Sequence, residues 1–326
     1  MKKIIIYTFS LLMIAYVVTS CEKDVIIDLP ASTQKIVVEG NVTIGEPIIL
    51  TLTTTIPYYD TIDLQTFENN FAHDAEVKIW NSNGDTMNMV EFCIADIVDF
   101  LDPEDVETFG DLFGFNLDSI DVDEIPNFCF YIDEGLADFS NPQPTFLGEE
   151  NTTYHLEINT TDGQLLTAET TIPVLRPPNF LELAPHPSEA GWYRVDANLT
   201  IPNTPGQYVR FKTAYDTSDF VAPNPSVYDD NTFTSDNSTI TLPLQRGYSD
   251  GEDVELSLFN YFEEGAWMYL EWSNIDYATF DFWTTIENDG GDSPFSSPVE
   301  ITGNINGGLG HFGGYATTID SIYVGP

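Results

Sequence analysis

The chain of 326 residues is strongly acidic, with 53 Asp and Glu against 10 Lys and Arg and a formal net charge of −43 at pH 7. This charge excludes nucleic-acid binding and electrostatic docking on anionic lipid, because both depend on Lys and Arg that neutralise phosphate. The hydrophobic content of 42% and the aromatic content of 13% exclude a disordered chain in spite of the acidity.

The N-terminal segment has the pattern of a bacterial lipoprotein export signal. Lys2 and Lys3 precede an almost entirely apolar run, and small residues lead up to Cys21. The run is too short for a spanning helix, which favours a cleaved signal over residues 1–20. An ordinary signal peptide with an incidental cysteine is the alternative. We therefore predict lipidation of Cys21, a tether over residues 21–34, and attachment to a membrane through lipid.

Residues 35–175 are predicted to form an N-terminal β-sandwich. Asn83-Gly84 and Asp162-Gly163 each lie between two strand-like runs, which is the pattern of a β-hairpin. Two such hairpins favour an immunoglobulin-like or transthyretin-like sandwich. The proline-rich run at 173–178 cannot continue a sheet and marks the predicted domain boundary. The strands predicted for this domain cover residues 35–39, 47–54, 75–80, 86–90, 154–159 and 165–172.

An acidic insertion at residues 90–140 interrupts this sandwich. Asp102 precedes a proline and two acidic residues, which is typical of the start of a short amphipathic helix. Carboxylates are ligands that Ca²⁺ prefers, yet none of the acidic runs matches an EF-hand loop, and a solvated acidic loop is the alternative. The calcium candidates are Asp118, Asp121, Asp123 and Glu124. No other cofactor is predicted.

Two cysteines remain once Cys21 is assigned to the lipid. Cys93 and Cys129 form an even pair in an exported chain, which makes them a candidate disulfide. Two buried thiols are the alternative.

Residues 176–326 are predicted to form a second, β-rich domain, so the expected fold is mainly β with two sandwich domains. Asp276 is a candidate N-cap for a helix that runs to about Glu287, and we interpret its aromatic stripe of Tyr277, Phe280 and Trp283 as core packing. A final strand is predicted near residues 317–324. The other predicted strands cover residues 193–200, 208–214, 238–244, 254–261 and 267–272.

The sequence contains no recognisable catalytic constellation. The four histidines are scattered without a pair at helical ligand spacing, so we expect no zinc site. No serine, cysteine or threonine stands in a nucleophile elbow, and pairs of acids are uninformative in a chain this acidic. Gly307–Gly314 lacks the lysine and the following helix of a phosphate loop, which favours tight turns and close backbone packing. We expect a protein that is not an enzyme.

Three blocks of sequence resemble a lipoprotein family of Bacteroidota, domain of unknown function 4249. The blocks are residues 22–40, residues 151–173, and the C-terminal run from Ser293 to Tyr315 that follows the aromatic helix. Ser293 stands where the family usually has Asn, and the acidic insertion is longer than expected. The motif residues of the C-terminal run are Pro294, Phe295, Asn304, Gly307, Gly308, Gly310 and Phe312.

The resemblance implies an outer-membrane lipoprotein, on the cell surface or on the periplasmic face, encoded beside TonB-dependent transporters and without catalytic residues to carry over. We expect a non-enzymatic accessory protein that captures a ligand for such a transporter. A surface structural or adhesion module bridged by calcium is the alternative, and a hydrolase is the third reading. Four tripeptides also resemble the O-glycosylation sequon of this phylum, with acceptors Thr61, Thr86, Ser119 and Ser321.

Overall fold

The computed structural model describes residues 34–57, 66, 68–94, 127–137, 142–200, 206–216, 219–230, 239–249, 255–288 and 300–325. Several predicted features lie outside these residues. They are the signal segment, the tether, Cys21, Thr61, the helix after Asp102, the calcium candidates Asp118, Asp121, Asp123 and Glu124, and Ser119, Pro294 and Phe295.

The described residues are mainly β. The strands of the first half are β1 Ile36–Thr43, β2 Ile49–Thr54, β3 Glu76–Asn81, β4 Thr86–Cys93, β5 Cys129–Asp133, β6 Thr152–Asn159 and β7 Leu165–Ile172. The strands of the second half are β8 Phe180–Pro185, β9 Trp192–Thr200, β10 Tyr208–Tyr215, β11 Val227–Asp229, β12 Thr239–Pro243, β13 Phe262–Glu263, β14 Trp267–Ile275 and β15 Leu309–Tyr323. An α-helix, α1, runs from Tyr277 to Glu287. Within this described part, no helix is long and apolar enough to cross a membrane.

One long sheet of 11 strands runs through the molecule in the order β11-β10-β14-β15-β1-β2-β5-β4-β3-β6-β7. β1 and β15 pair in parallel, whereas β14 and β15 pair antiparallel. The sheet bends so that β7 returns to β15, where the backbone of Thr167 exchanges hydrogen bonds with that of Asn306 at 3.1 and 2.8 Å. A smaller sheet of β8, β9, β12 and β13 packs on the other end of the long sheet.

Two hydrophobic cores lie along this long sheet. The first is enclosed by β1–β7 and the beginning of β15, with Leu50, Tyr154 and Phe312 among its fully buried side chains. The second lies between the smaller sheet and β10 and β14, around Phe211 and Trp272. β15 supplies Phe312 to the first core and is followed directly by Val324 in the second. Residues Gln34–Pro326 accordingly form one compact unit.

The predicted domain boundary near residue 175 stays a prediction. The chain at this point is hydrogen-bonded to β14. The backbone N–H of Arg176 donates to Asn274 Oδ1 at 2.6 Å. The carbonyl of Arg176 accepts a hydrogen bond from Trp272 Nε1 at 3.0 Å. The proline-rich run is therefore fastened to β14 rather than free between two modules.

Both predicted hairpins and the predicted helix are present. Gly84 and Gly163 have positive φ angles of 97° and 85° at the turns that join β3 to β4 and β6 to β7. The Asp276 carboxylate accepts a hydrogen bond from the Thr279 N–H at 2.9 Å and caps α1.

Three sequence predictions differ from the structure. The predicted strand at 254–261 is wrong: residues 256–258 form a 3₁₀ turn in which Leu256 is 91% exposed. The last strand begins at Leu309, well before residue 317. The sequence pattern did not predict its first residues as strand because glycine is uncommon inside strands. The ends of the predicted insertion belong to the sheet: β5, fully buried, lies between β2 and β4.

Candidate binding groove

An open groove of about 590 Å³ lies on the outer face of the long sheet, opposite the first core. Its floor is β1 and β2, one wall is α1, and Phe130 of β5 lies at the other side. The lining residues are Glu39, Gly40, Asn41, Thr43, Glu46, Pro47, Ile49, Thr51, Phe130, Phe282, Trp283, Ile286 and His311.

Strand register builds the floor of this groove. Glu39 pairs with Thr51 on one side and with His311 on the other, so these three residues form one row across the sheet. Side chains alternate between the faces of a strand, so the buried Val38 and Val42 point into the first core while Glu39 and Asn41 point into the groove. The row therefore places a carboxylate, a hydroxyl and an imidazole side by side.

Helix α1 is fastened to the sheet at both its start and its middle. The second oxygen of the Asp276 carboxylate accepts hydrogen bonds from Thr170 Oγ1 at 2.9 Å and from the Thr171 N–H at 3.1 Å. Trp283 Nε1 donates to the Tyr315 hydroxyl at 2.8 Å, and the Arg210 guanidinium lies 3.6 Å over the Trp283 ring. These contacts fix the helix wall of the groove in position.

His311 is the most unusual residue of the site. It is only 4% exposed, and its ring stacks on Phe282 with centroids 4.2 Å apart. Its Nε2 has no hydrogen-bond partner among the described residues. The pKa of His311 is lowered from 6.5 to about 4, chiefly by burial; the negative charge of Asp276 opposes this shift and the positive charge of Arg210 adds to it. The imidazole is therefore neutral at pH 7.

Gly313 makes room for this ring. A Cβ at position 313 would lie 2.2 Å from Cε1 of His311 and 2.8 Å from Cε2 of Tyr315, which is closer than real Cβ atoms approach. The buried position of the His311 ring therefore requires a residue without a side chain at position 313. Sequence reasoning counted His311 among scattered histidines, although its position between Gly310 and Gly313 was the available signal.

The glycine-rich motif has a structural role beside the groove. Asn304 Nδ2 donates to the carbonyls of Phe312 at 2.7 Å and Glu169 at 3.1 Å, and its Oδ1 accepts from the Phe312 N–H at 2.9 Å. Gly307 and Gly308 pass so close to Leu165 and Leu166 that a Cβ on either would clash. The motif therefore holds the start of β15 between β1 and β7, which agrees with close backbone packing rather than a phosphate loop.

The remaining predicted site residues lie elsewhere. Cys93 and Cys129 are joined by a disulfide across β4 and β5. Thr86 and Ser321 are exposed on β4 and β15, away from the lining of the groove. The structure thus brings neither of these two acceptors into the site.

The groove chemistry favours a neutral or cationic ligand. Glu39 and Glu46 supply carboxylates, and no lysine or arginine is found among its described lining residues. An anion would therefore meet like charge without a partner. Asn41 and the threonines add hydrogen-bonding groups, while Phe282 and Trp283 add an apolar wall that suits a flat ligand face.

The buried neutral imidazole predicts a specific pH dependence. The unfolded state takes up a proton below pH 6.5 and the folded state does not, so His311 destabilises the fold as pH falls from 6.5 towards 4. We expect this residue alone to lower the free energy of unfolding by about 2 kcal/mol between pH 7 and pH 5. Urea unfolding of wild type and His311→Gln at both pH values measures the difference. Equal losses in the two proteins would contradict the assignment.

Comparison with known proteins places the chain in a family. No curated protein and no solved structure matches it. The model of one protein family, described as a domain of unknown function (DUF4249), matches residues 22–320. Because this match covers nearly the whole chain, the protein belongs to the DUF4249 family.

Proposed function

We propose that the protein is a lipid-anchored accessory protein of the outer membrane, which captures a neutral or cationic ligand in the groove and works beside a TonB-dependent transporter. The observation that carries the proposal is the groove itself, whose lining combines two carboxylates, hydrogen-bonding side chains and an aromatic wall. The carboxylates attract a cation, and the aromatic wall offers an apolar face against which a ligand can pack.

The arrangement supports capture rather than catalysis. General base catalysis needs an imidazole whose pKa lies near the working pH, whereas burial holds His311 at about 4. The walls combine hydrogen-bonding and aromatic side chains, which is the usual composition of a ligand site.

Lipidation of Cys21 supplies the link to the membrane in this proposal. A chain with a net charge of −43 is repelled by anionic lipid, so attachment depends on the acyl chains. Anchoring two proteins in one membrane raises their effective concentration towards the millimolar range and makes a weak contact sufficient. A ligand held in an open groove can then pass to a transporter nearby.

A pull-down from native membranes tests the partnership. The tagged full chain, extracted in mild detergent, should recover a barrel transporter, and fatty acid should be found on Cys21. The control is Cys21→Ala, which should carry no fatty acid and recover no transporter. Failure of the wild type to recover any barrel protein, or recovery of the same transporter by Cys21→Ala, would contradict the proposal.

A further inference from the structure

Four potential metal ligands converge on the face of the sheet opposite the groove. His73, Glu91, Cys93 and Cys129 each offer one ligand atom, and these atoms all lie within 4.8 Å of one another. Glu91 and Cys93 of β4 lie across from Tyr131 and Cys129 of β5. Because side chains alternate between the two faces of a strand, the side chains of these four strand residues lie on the same face of the sheet. Phe130, which lines the groove, points to the other face.

Glu91 is the centre of this cluster. One of its carboxylate oxygens contacts Nδ1 of His73 and lies 3.6 Å from the sulfur of Cys93. Its other oxygen accepts a hydrogen bond from the Asp74 N–H at 2.7 Å. The carboxylate therefore positions the imidazole beside the two sulfurs.

The loop that carries His73 is held by a buried tyrosine. The Tyr131 hydroxyl donates to the Ala72 carbonyl at 2.9 Å and accepts from the Ala75 N–H at 3.0 Å. The N–H of Ala72 also donates to the Leu52 carbonyl at 2.8 Å. These bonds flank His73 on both sides, and ligands fixed in this way lose little entropy when they bind a metal.

We propose that His73, Glu91, Cys93 and Cys129 bind one zinc-class divalent cation when the disulfide is reduced. A dithiol or phosphine reductant supplies two electrons, the S–S bond breaks, and two protons give two thiols. Metal binding then releases both thiol protons as the thiolates coordinate. In the oxidised protein the two sulfurs are bonded to each other and cannot coordinate a metal as thiolates. The disulfide and the bound metal therefore exclude each other.

The donor set matches this class of metal. Two thiolates, one imidazole and one carboxylate are ligands that Zn²⁺ takes in tetrahedral sites. With Zn–S bonds of about 2.3 Å, the two sulfurs need to lie only about 3.8 Å apart, which side-chain rotation of cross-strand cysteines allows. Ca²⁺ is disfavoured, since it takes oxygen ligands. His73 is 47% exposed at its side chain, so a cation has access.

Cobalt titration of the full chain in detergent tests this site. Carboxylates elsewhere on so acidic a chain bind Co²⁺ weakly, but they give no thiolate-to-cobalt charge-transfer band. We expect this band only after reduction, saturating at one Co²⁺ per chain and abolished by Zn²⁺. His73→Ala and Glu91→Gln should each weaken Co²⁺ binding by at least about tenfold.

His155→Ala is the matched control, because His155 also contacts a carboxylate, that of Glu169 at 3.1 Å, without a cysteine nearby. It should bind Co²⁺ like the wild type. Circular dichroism of the reduced protein verifies that each variant keeps its sheets. Absence of the band in folded, reduced wild type would overturn the proposal. Wild-type affinity in both His73→Ala and Glu91→Gln would overturn it as well, since the cysteines would then act alone.

Discussion

Replacing Gly310 with alanine is expected to lower the free energy of unfolding by about 3–5 kcal/mol. Gly310 has a φ of 100°, a conformation that L-residues adopt at a cost. A Cβ there would also lie 2.0 Å from the Val38 carbonyl oxygen and 2.8 Å from the Val38 nitrogen. The clash is with backbone, which cannot rotate away. Because Val38 and Gly310 are partners in the β1–β15 register, the substitution separates β15 from β1, which is part of the groove floor.

Gly84→Ala separates the two contributions to this loss. Gly84 has a similar φ of 97°, but an added Cβ would meet nothing within 4 Å. We expect it to cost only the conformational part, about 1–2 kcal/mol. Urea unfolding of both variants gives the comparison. A loss in Gly310→Ala no greater than that in Gly84→Ala would show that the close approach of β15 to β1 is wrong.

Truncation of Trp272 to alanine is expected to cost about 3–5 kcal/mol. Trp272 is 1% exposed in the second core and stacks on Phe211 with ring centroids 6.3 Å apart. Its Nε1 donates to the Arg176 carbonyl at 3.0 Å, so the truncation also leaves a partly buried acceptor without its donor. Trp267→Ala, in the same strand but 47% exposed, should cost about 1 kcal/mol.

The Trp272 variant also reports on how the two cores are coupled. β15 pairs with β1 at its beginning and with β14 along the rest of its length, so loosening the second core should be felt in the first. Hydrogen exchange of the β1 and β2 amides should therefore accelerate in Trp272→Ala together with that of β10 and β14. Unchanged protection of β1 and β2 would indicate two modules that unfold independently.

Features set by neighbouring residues were predictable from the sequence. The two Asx-Gly turns, the strands beside them and the Asp276 cap each depend on a few consecutive residues whose backbone preferences are strong. The mainly β class followed from the alternation of these strands. The structural reading of the glycine-rich motif was also correct, because no helix or lysine followed it.

Features set by distant partners were not predictable. β5 is buried along its whole length, so it shows no alternation and was assigned to the acidic insertion. The first residues of β15 have the composition of a turn, and only the closeness of β1 and β7 explains their glycines. The groove needs Glu39, His311 and Phe282 from three separate elements, and no local pattern relates them. The same is true of His73 and the cysteine pair.

Native mass spectrometry of the full chain, isolated gently from its own membranes, tests the capture of a ligand most directly. We predict one neutral or cationic organic molecule bound per wild-type chain. Glu39→Gln combined with Glu46→Gln should reduce its retention at least about tenfold, since each carboxylate contributes a charge-assisted hydrogen bond. Glu76→Gln combined with Glu182→Gln, two exposed strand carboxylates outside the groove, should retain it fully. A wild-type chain without any bound molecule, or equal retention in both double variants, would contradict the groove as the binding site.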